Sequence, residues 1–347
     1  MSAAAPGHVI DCLQYCNVSE TILHELRAGG VDAIHTTISY HEDFRETVEN
    51  IVGWNTLFAE HPDLIFHGKV GADVRRARTE GRTAVFFGLQ NCSPIEDDIG
   101  LVEICHTLGV RFMQLSYNNQ SLLASGCYEK EDTGITRMGR EVIAEMNRLG
   151  MVIDMSHSGT RSTLEAIELS QRPIAVTHAN PHRWHPVVRN KPDEVLKALA
   201  QSGGMLGFSI YPHHLKNGGA CTLREFCEMV ARTADLIGVA HLGIGSDLCQ
   251  DQPDEVVQWM RRGRWTKEPV DAENPVVFPK QPSWFRSNAD FPGIADGLAA
   301  AGFSPSDVAG IMGENWLRFF EQSFGPAAGQ GEMSPAATTS GSARQTA

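Results

Sequence analysis

Short apolar runs alternate along this chain with amphipathic stretches, most of which end at a glycine. Apolar runs bounded by Gly, Asn or Ser predict buried parallel strands, and helical periodicity predicts the connections between them. Strands are expected over residues 8–12 (HVIDC), 31–34, 83–88 (TAVFFG), 111–115, 151–155 (MVIDM), 173–176, 205–209 and 242–246 (LGIGS). Helices are expected over 18–28, 43–60, 72–80, 99–108, 139–149, 160–170, 192–201 and 222–237, then 293–301, 305–312 and 314–324. Strand and helix in this alternation predict a single (β/α)8 TIM barrel spanning residues 1–324. A long insertion over 248–287 carries Trp259, Trp265, Phe278, Trp284 and Phe285. It reads as a lid, a subunit contact or a small local core. Residues 325–347 are almost all small or polar, and a flexible tail is expected.

Composition narrows the class. A net charge of −13 argues against nucleic acid as a partner. No apolar run is long enough for a membrane helix, and the first residues do not resemble a signal peptide. A cytoplasmic protein is expected. The eight cysteines show no paired spacing, so reduced thiols are expected, with Cys105 in helix packing.

A parallel barrel carries its site at the C-terminal ends of its strands. The tips expected here present Leu13 and Tyr15, His35, Gln90, Tyr117 and Asn118, His157, His178 and Asp247, with Arg189 in the loop after strand six. His157 and His178 fall at equivalent tips of successive strands. Either alone reads as a helix cap or a satisfied core histidine. Together with Asp247 they make a mononuclear zinc set with an open position. Asp247 has a second reading, as the general base that takes the proton of an attacking water. Arg189 suits a substrate carboxylate, or else a surface pair with Asp193 or Glu194. His35, Cys12 and Cys92 are possible substitute ligands, although plain packing is the simpler reading. Cys12 is expected to point away from the barrel interior if Leu13 faces it. Of the loop histidines His182, His185, His213 and His214, most are expected to be solvated or capping, with His182 close enough to His178 to reach the pocket.

The segments MVIDMSHSG, PIAVTHANPH, VVRNKPDEVLKALAQSGGMLGFSIYP and LGIGSDL resemble the membrane (renal) dipeptidase family, a branch of the barrel-fold amidohydrolases. LGVRFMQLSYNN and GENWLRFFE fit it too, so the resemblance covers about residues 8–324. It implies an amidohydrolase-like barrel that cleaves dipeptides with two zinc ions. His157 and His178 match ligands of one metal, Asp247 the acidic proton carrier, and Arg189 the residue that engages the substrate carboxylate.

The chain departs from that pattern at the other metal. Leu13 and Tyr15 stand where the family has a His-x-Asp pair. Gln90 replaces the bridging glutamate, and Tyr117 replaces a substrate-assisting histidine. The ordinary binuclear site is therefore not expected. First comes a dipeptidase-like hydrolase of a small carboxylate-bearing amide, with at most one zinc per chain on His157 and His178, completed by Asp247, water or Gln90. Second is a metal-free reaction using the imidazoles as acid and base, such as lactone or amide opening, decarboxylation or elimination. Third is a binding protein without catalysis. Asp247, His157, His178 and Tyr117 are the expected catalytic groups. Arg189, Tyr15, Gln90 and Asn118 are the expected substrate contacts. A homodimer is expected, with neither nucleic acid nor membrane as partner.

Overall fold

A computed structural model describes residues 7–264, 266, 267 and 276–325. Trp265 and all but the first residue of the expected tail lie outside the described residues. The barrel strands are β1 (Ile10–Gln14), β2 (Ala33–Ser39), β4 (Thr83–Leu89), β5 (Val110–Gln114), β6 (Val152–Asp154), β7 (Ala175–Val176), β8 (Met205–Phe208) and β9 (Leu242–Ile244). Every pairing is parallel, and the β2–β4 contact closes the ring. One further strand, β3 (Ile65–His67), pairs among the described residues only with β4. It was not expected from the pattern, because a three-residue run is too short to show a period. The expected eight-stranded barrel is therefore present, with a short strand added to β4.

The helices form where the periodicity places them, and caps set their starts. Asp43 and Glu46 make a capping box ahead of Phe44–Glu60, and Thr222 and Glu225 make another ahead of Leu223–Ile237. The last two expected helices are one continuous rod. Pro305–Ala309 runs through a π turn at Gly310–Glu314 into Asn315–Ser323.

That rod closes the bottom of the barrel. Trp316 is fully buried among Ile10, Cys12, Phe112, Ala175 and Met205, side chains drawn from four strands. Its indole Nε1 donates to the Ile244 carbonyl at 3.0 Å. A Cβ on Gly243 would sit 2.2 Å from that nitrogen, so the first glycine of LGIGS makes room for the indole. Trp316→Ala should lower unfolding free energy by about 3–5 kcal/mol, measured by denaturant titration. A loss under about 1 kcal/mol would show that the rod does not plug the barrel.

Two expected tips move. β1 ends later than the pattern suggests, and its register to β2 shifts between Asp11 and Gln14. That irregularity breaks strict alternation. Cys12 faces the interior, contrary to expectation, while Leu13 joins a cluster of tyrosines. β2 also runs on past its expected end, so His35 is not a tip residue. It lies inside the barrel, stacked on Phe112 at 4.1 Å, with Nδ1 bonded to the Cys12 carbonyl at 3.0 Å. Burial holds its pKa near 3.

Candidate active site

Two buried aspartates set the strand ends. Asp154, at the end of β6, accepts from the amide and hydroxyl of Ser156 (3.0 and 2.5 Å) and from those of Thr177 (3.1 and 2.6 Å). It thus ties the tips that carry His157 and His178. Asp11, in β1, accepts from the Ser246 amide at 2.7 Å and hydroxyl at 2.5 Å, next to Asp247. Burial raises the Asp11 pKa to about 6 against these bonds. Both aspartates end a V-I-D triplet, HVIDC and MVIDM. A carboxylate closing an apolar strand is the signal that could have marked them.

Above these ties, Tyr15, Gln90, Tyr117, Asn118, His157, Arg189 and Asp247 all line one cavity at the C-terminal mouth of the barrel. His178 lies directly beneath, fully buried. The eight expected site residues therefore converge. The cavity measures about 40 Å³, room for a few water molecules, and it opens at the mouth of the barrel.

The histidines meet through their Nε2 atoms, 3.0 Å apart. His157 Nδ1 contacts Asn118 Oδ1 at 2.7 Å, and His178 Nδ1 contacts Thr177 Oγ1 at 2.8 Å. The Thr177 hydroxyl donates to Asp154, so toward His178 it accepts, and Nδ1 carries the proton. An Arg189 N–H approaches His157 Nε2 at 3.4 Å, which marks that nitrogen as an acceptor too. Two lone pairs therefore face each other, each backed by an oxygen on the far ring nitrogen. That is how ligating histidines are oriented. Burial first, and then Arg189, holds both histidines well below their ordinary pKa. They stay neutral, as ligands must. Tyr117 stacks on His157 at 4.2 Å.

Arg189 is 3% exposed, so the surface-pair reading fails. Asp193 pairs with Arg183 instead. The Arg189 guanidinium donates to the Ser156 carbonyl and, at 3.1 Å, to the His178 carbonyl. Asp247 adopts a left-handed backbone, φ 59°, with its amide bonded to the Leu13 carbonyl at 2.9 Å. Burial raises its pKa to about 7, with Arg189 acting in the opposite direction. Asn118 is also left-handed, φ 61°. Such strain is held where surrounding structure fixes it, commonly at sites.

Several functional residues escape sequence reasoning. His214 is buried, not a solvated loop residue. Its Nδ1 lies 2.8 Å from Ser209 Oγ and 3.8 Å from Asp247 Oδ2. His182 is exposed and lines a neighbouring groove, not the cavity. Cys92 packs in the core. The insertion supplies Met260 and Arg261 to the cavity from the helix Asp254–Arg262. Trp259 of that helix stands edge-on to Tyr40 and His41, and Phe278 packs on Tyr15. Trp284 and Phe285 instead join the core, with Trp284 Nε1 bonded to the Cys221 carbonyl at 2.8 Å. The insertion is thus lid in its first part and local core in its last. All five tyrosines of the chain stand at this mouth, Tyr40 behind the other four.

The membrane dipeptidase model (peptidase family M19) matches residues 13–261. The chain belongs to the membrane dipeptidase family. A solved amidohydrolase from Pseudomonas aeruginosa is 33% identical, with a TM-score of 0.87 over 92% of this chain and 97% of that one. A metallo peptidase from Rhodobacter sphaeroides, solved with a phosphinate mimic of the dipeptide L-Ala-D-Ala, shares the fold at 16% identity. Its TM-score is 0.77 over 92% of this chain and all of that one. Among curated relatives, the dipeptidase tcpJ of Claviceps purpurea is 26% identical over 88% of this chain. The dipeptidase aclJ of Aspergillus oryzae is 24% identical over 80%. The chain spans 65% and 61% of the lengths of these two.

For a family of metal-dependent enzymes, the donor set decides what can be held. The His157–His178 pair, two neutral imidazoles with Nε2 atoms 3.0 Å apart, fits a single ion as two of its ligands. Among the described residues, no group of three or more His, Cys, Asp or Glu side chains is gathered as a ligand set. The positions of a second metal do not fit. Leu13 is apolar, the Tyr15 phenol is held neutral by burial, and Gln90 is uncharged, its Nε2 donating to Thr37 Oγ1 at 2.8 Å.

Proposed function

We propose that this protein is a dipeptidase-like hydrolase of a small amide bearing a carboxylate, working with at most one zinc. The observation that carries this is the convergence of the neutral His157–His178 pair, Arg189 and a carboxylate of raised pKa, Asp247, at one barrel mouth. Asp247 takes the proton of the attacking water and returns it to the leaving amine. Its pKa near 7 suits both directions. Arg189, anchored from below by two carbonyls, uses its remaining N–H donors on the substrate carboxylate. Asn118 fixes the His157 ring, and Tyr117, Tyr15 and Gln90 shape the space beside it. A zinc held by His157 and His178 would polarise the scissile carbonyl. Eight free thiols agree with a cytoplasmic setting. A homodimer belongs to the same proposal.

One observation favours a second reading. The Arg189 guanidinium already stands 3.4 Å from His157 Nε2. A cation there opposes a metal ion, and the histidines would then serve as acid and base without one. Metal analysis of protein purified without added zinc, beside turnover of carboxylated amides and lactones, separates the readings. One metal per chain, lost in His157→Ala together with activity, supports the first. Activity with no bound metal supports the second. Two tightly held metals per chain, or no turnover of any amide, would overturn the proposal.

A further inference from the structure

The lid arginine has no role in the account above. Arg261 is the penultimate residue of the Asp254–Arg262 helix and lines the cavity. Its NH1 donates to the Tyr128 hydroxyl at 3.3 Å, and Tyr211 is a second phenolic partner. Among the described residues it makes no ion pair with an acid. Arg264, three residues on, does the opposite and pairs with Glu46 at 2.6 Å and Asp43 at 3.7 Å. Arg264 pins the lid to the barrel, while Arg261 turns inward onto neutral oxygens.

Charge makes the inward turn informative. The chain as a whole carries −13, yet two guanidiniums face this cavity, and among the described residues that line it only one carboxylate, Asp247, answers them. The histidines beside it are neutral. Lys191, behind the cavity, bonds the Ser158 carbonyl at 2.7 Å and adds no negative charge. Arg189 approaches from the floor, held by strand-tip carbonyls. Arg261 approaches from the lid, oriented by phenols that cannot neutralise it. A guanidinium so placed presents its fork to a carboxylate or a phosphate.

We propose that Arg261, with Tyr128 and Tyr211, forms a second anion subsite, so that the substrate carries two anionic groups, one met by Arg189 and one by Arg261. This rests on the reading of Arg189 as the first carboxylate contact. The preferred substrates are then amides whose acyl or amine part carries an additional carboxylate. Closing the lid on the second anion couples recognition to exclusion of water from the cavity.

The test compares succinate, glutarate and adipate with their monoamides, by calorimetry on the full chain. The best diacid should bind about tenfold tighter than its monoamide, the worth of one charge-assisted contact. That ratio should fall to near one in Arg261→Gln, be partly kept in Arg261→Lys, and shrink at high salt because the rim is solvated. Arg189→Lys should weaken diacid and monoamide alike. A wild-type ratio near one would overturn the subsite and leave the Arg189 reading standing. So would an Arg261→Gln variant that weakens both ligands equally, since Arg261 would then be only a latch. Failure of every acid and monoamide to bind would overturn both readings.

Discussion

Asp247→Asn should reduce turnover by about 10²–10⁴-fold, the usual worth of a positioned general base, while leaving fold and carboxylate binding intact. Asparagine is the informative replacement. It keeps the shape, and it tolerates the left-handed backbone at φ 59° that alanine would strain. The pH profile should identify the same group. Burial places the Asp247 pKa near 7, and a base works ionised, so wild-type kcat/KM should rise with pH through about 7 and level off above it. The residual activity of the variant should lack that limb. Stability should move the other way. The folded pKa lies above the unfolded value of about 3.9, so the folded state binds the extra proton between these two values. Stability contributed by this group is complete below about pH 4 and is lost as pH rises through 7. Removing the carboxyl should therefore stabilise the protein at pH 8, by up to a few kcal/mol. A variant that turns over normally would end the assignment of Asp247 as proton carrier.

That trade, stability given up for a poised carboxylate, also shows where sequence reasoning reaches and where it stops. The barrel was legible because buried strands and glycine-ended helices each leave a local pattern. The converging tips were legible because the barrel's own rule places them: His157, His178, Asp247, Gln90 and Tyr117 all follow strands. What failed depended on register or on long-range packing. The irregularity in β1 turned Cys12 inward, and no local pattern announces a bulge without its partner strand. His35 reads as a tip from the sequence alone because β2 runs on past the end of its apolar run. Asp11 and Asp154 read as strand residues, since their work is done across neighbouring strands, on Ser246 and Thr177. Arg261 and Met260 sit in an insertion whose fold over the mouth follows from contacts with Tyr40, His41 and Tyr15, far away in the chain. His214 reads as a loop residue from the sequence alone, while the turn after β8 carries it to within 3.8 Å of Asp247.

Restoring the family's residues at the three departing positions should change metal content more than any other substitution. Leu13 is fully buried and Tyr15 nearly so. Both pack with Tyr40, Tyr117, Tyr211 and Met260, and Tyr15 meets Tyr40 edge-on at 5.9 Å. This aromatic cluster now fills the space beside Gln90 where a second ion's ligands would stand. Leu13→His, Tyr15→Asp and Gln90→Glu together put a histidine and two carboxylates there, a sufficient set for zinc. Without metal the variant should be less stable than the parent by several kcal/mol, because two carboxylates are buried unpaired and the Tyr15 ring is lost. With zinc, binding to the folded state alone should recover stability, so its Tm should climb with zinc concentration. Each single substitution should show the loss without the recovery, since one added ligand does not hold the ion against water. Metal per chain should rise from at most one to two in the triple variant only. The native reaction should fall with it, as Tyr15 and Gln90 leave the cavity they line. A triple variant whose Tm ignores zinc and whose metal content is unchanged would show that the tips of β1 and β4 do not correspond to the family's ligand positions. Conversely, recovery with zinc would show that the difference between this chain and its binuclear relatives lies in those three side chains and not in the backbone that presents them.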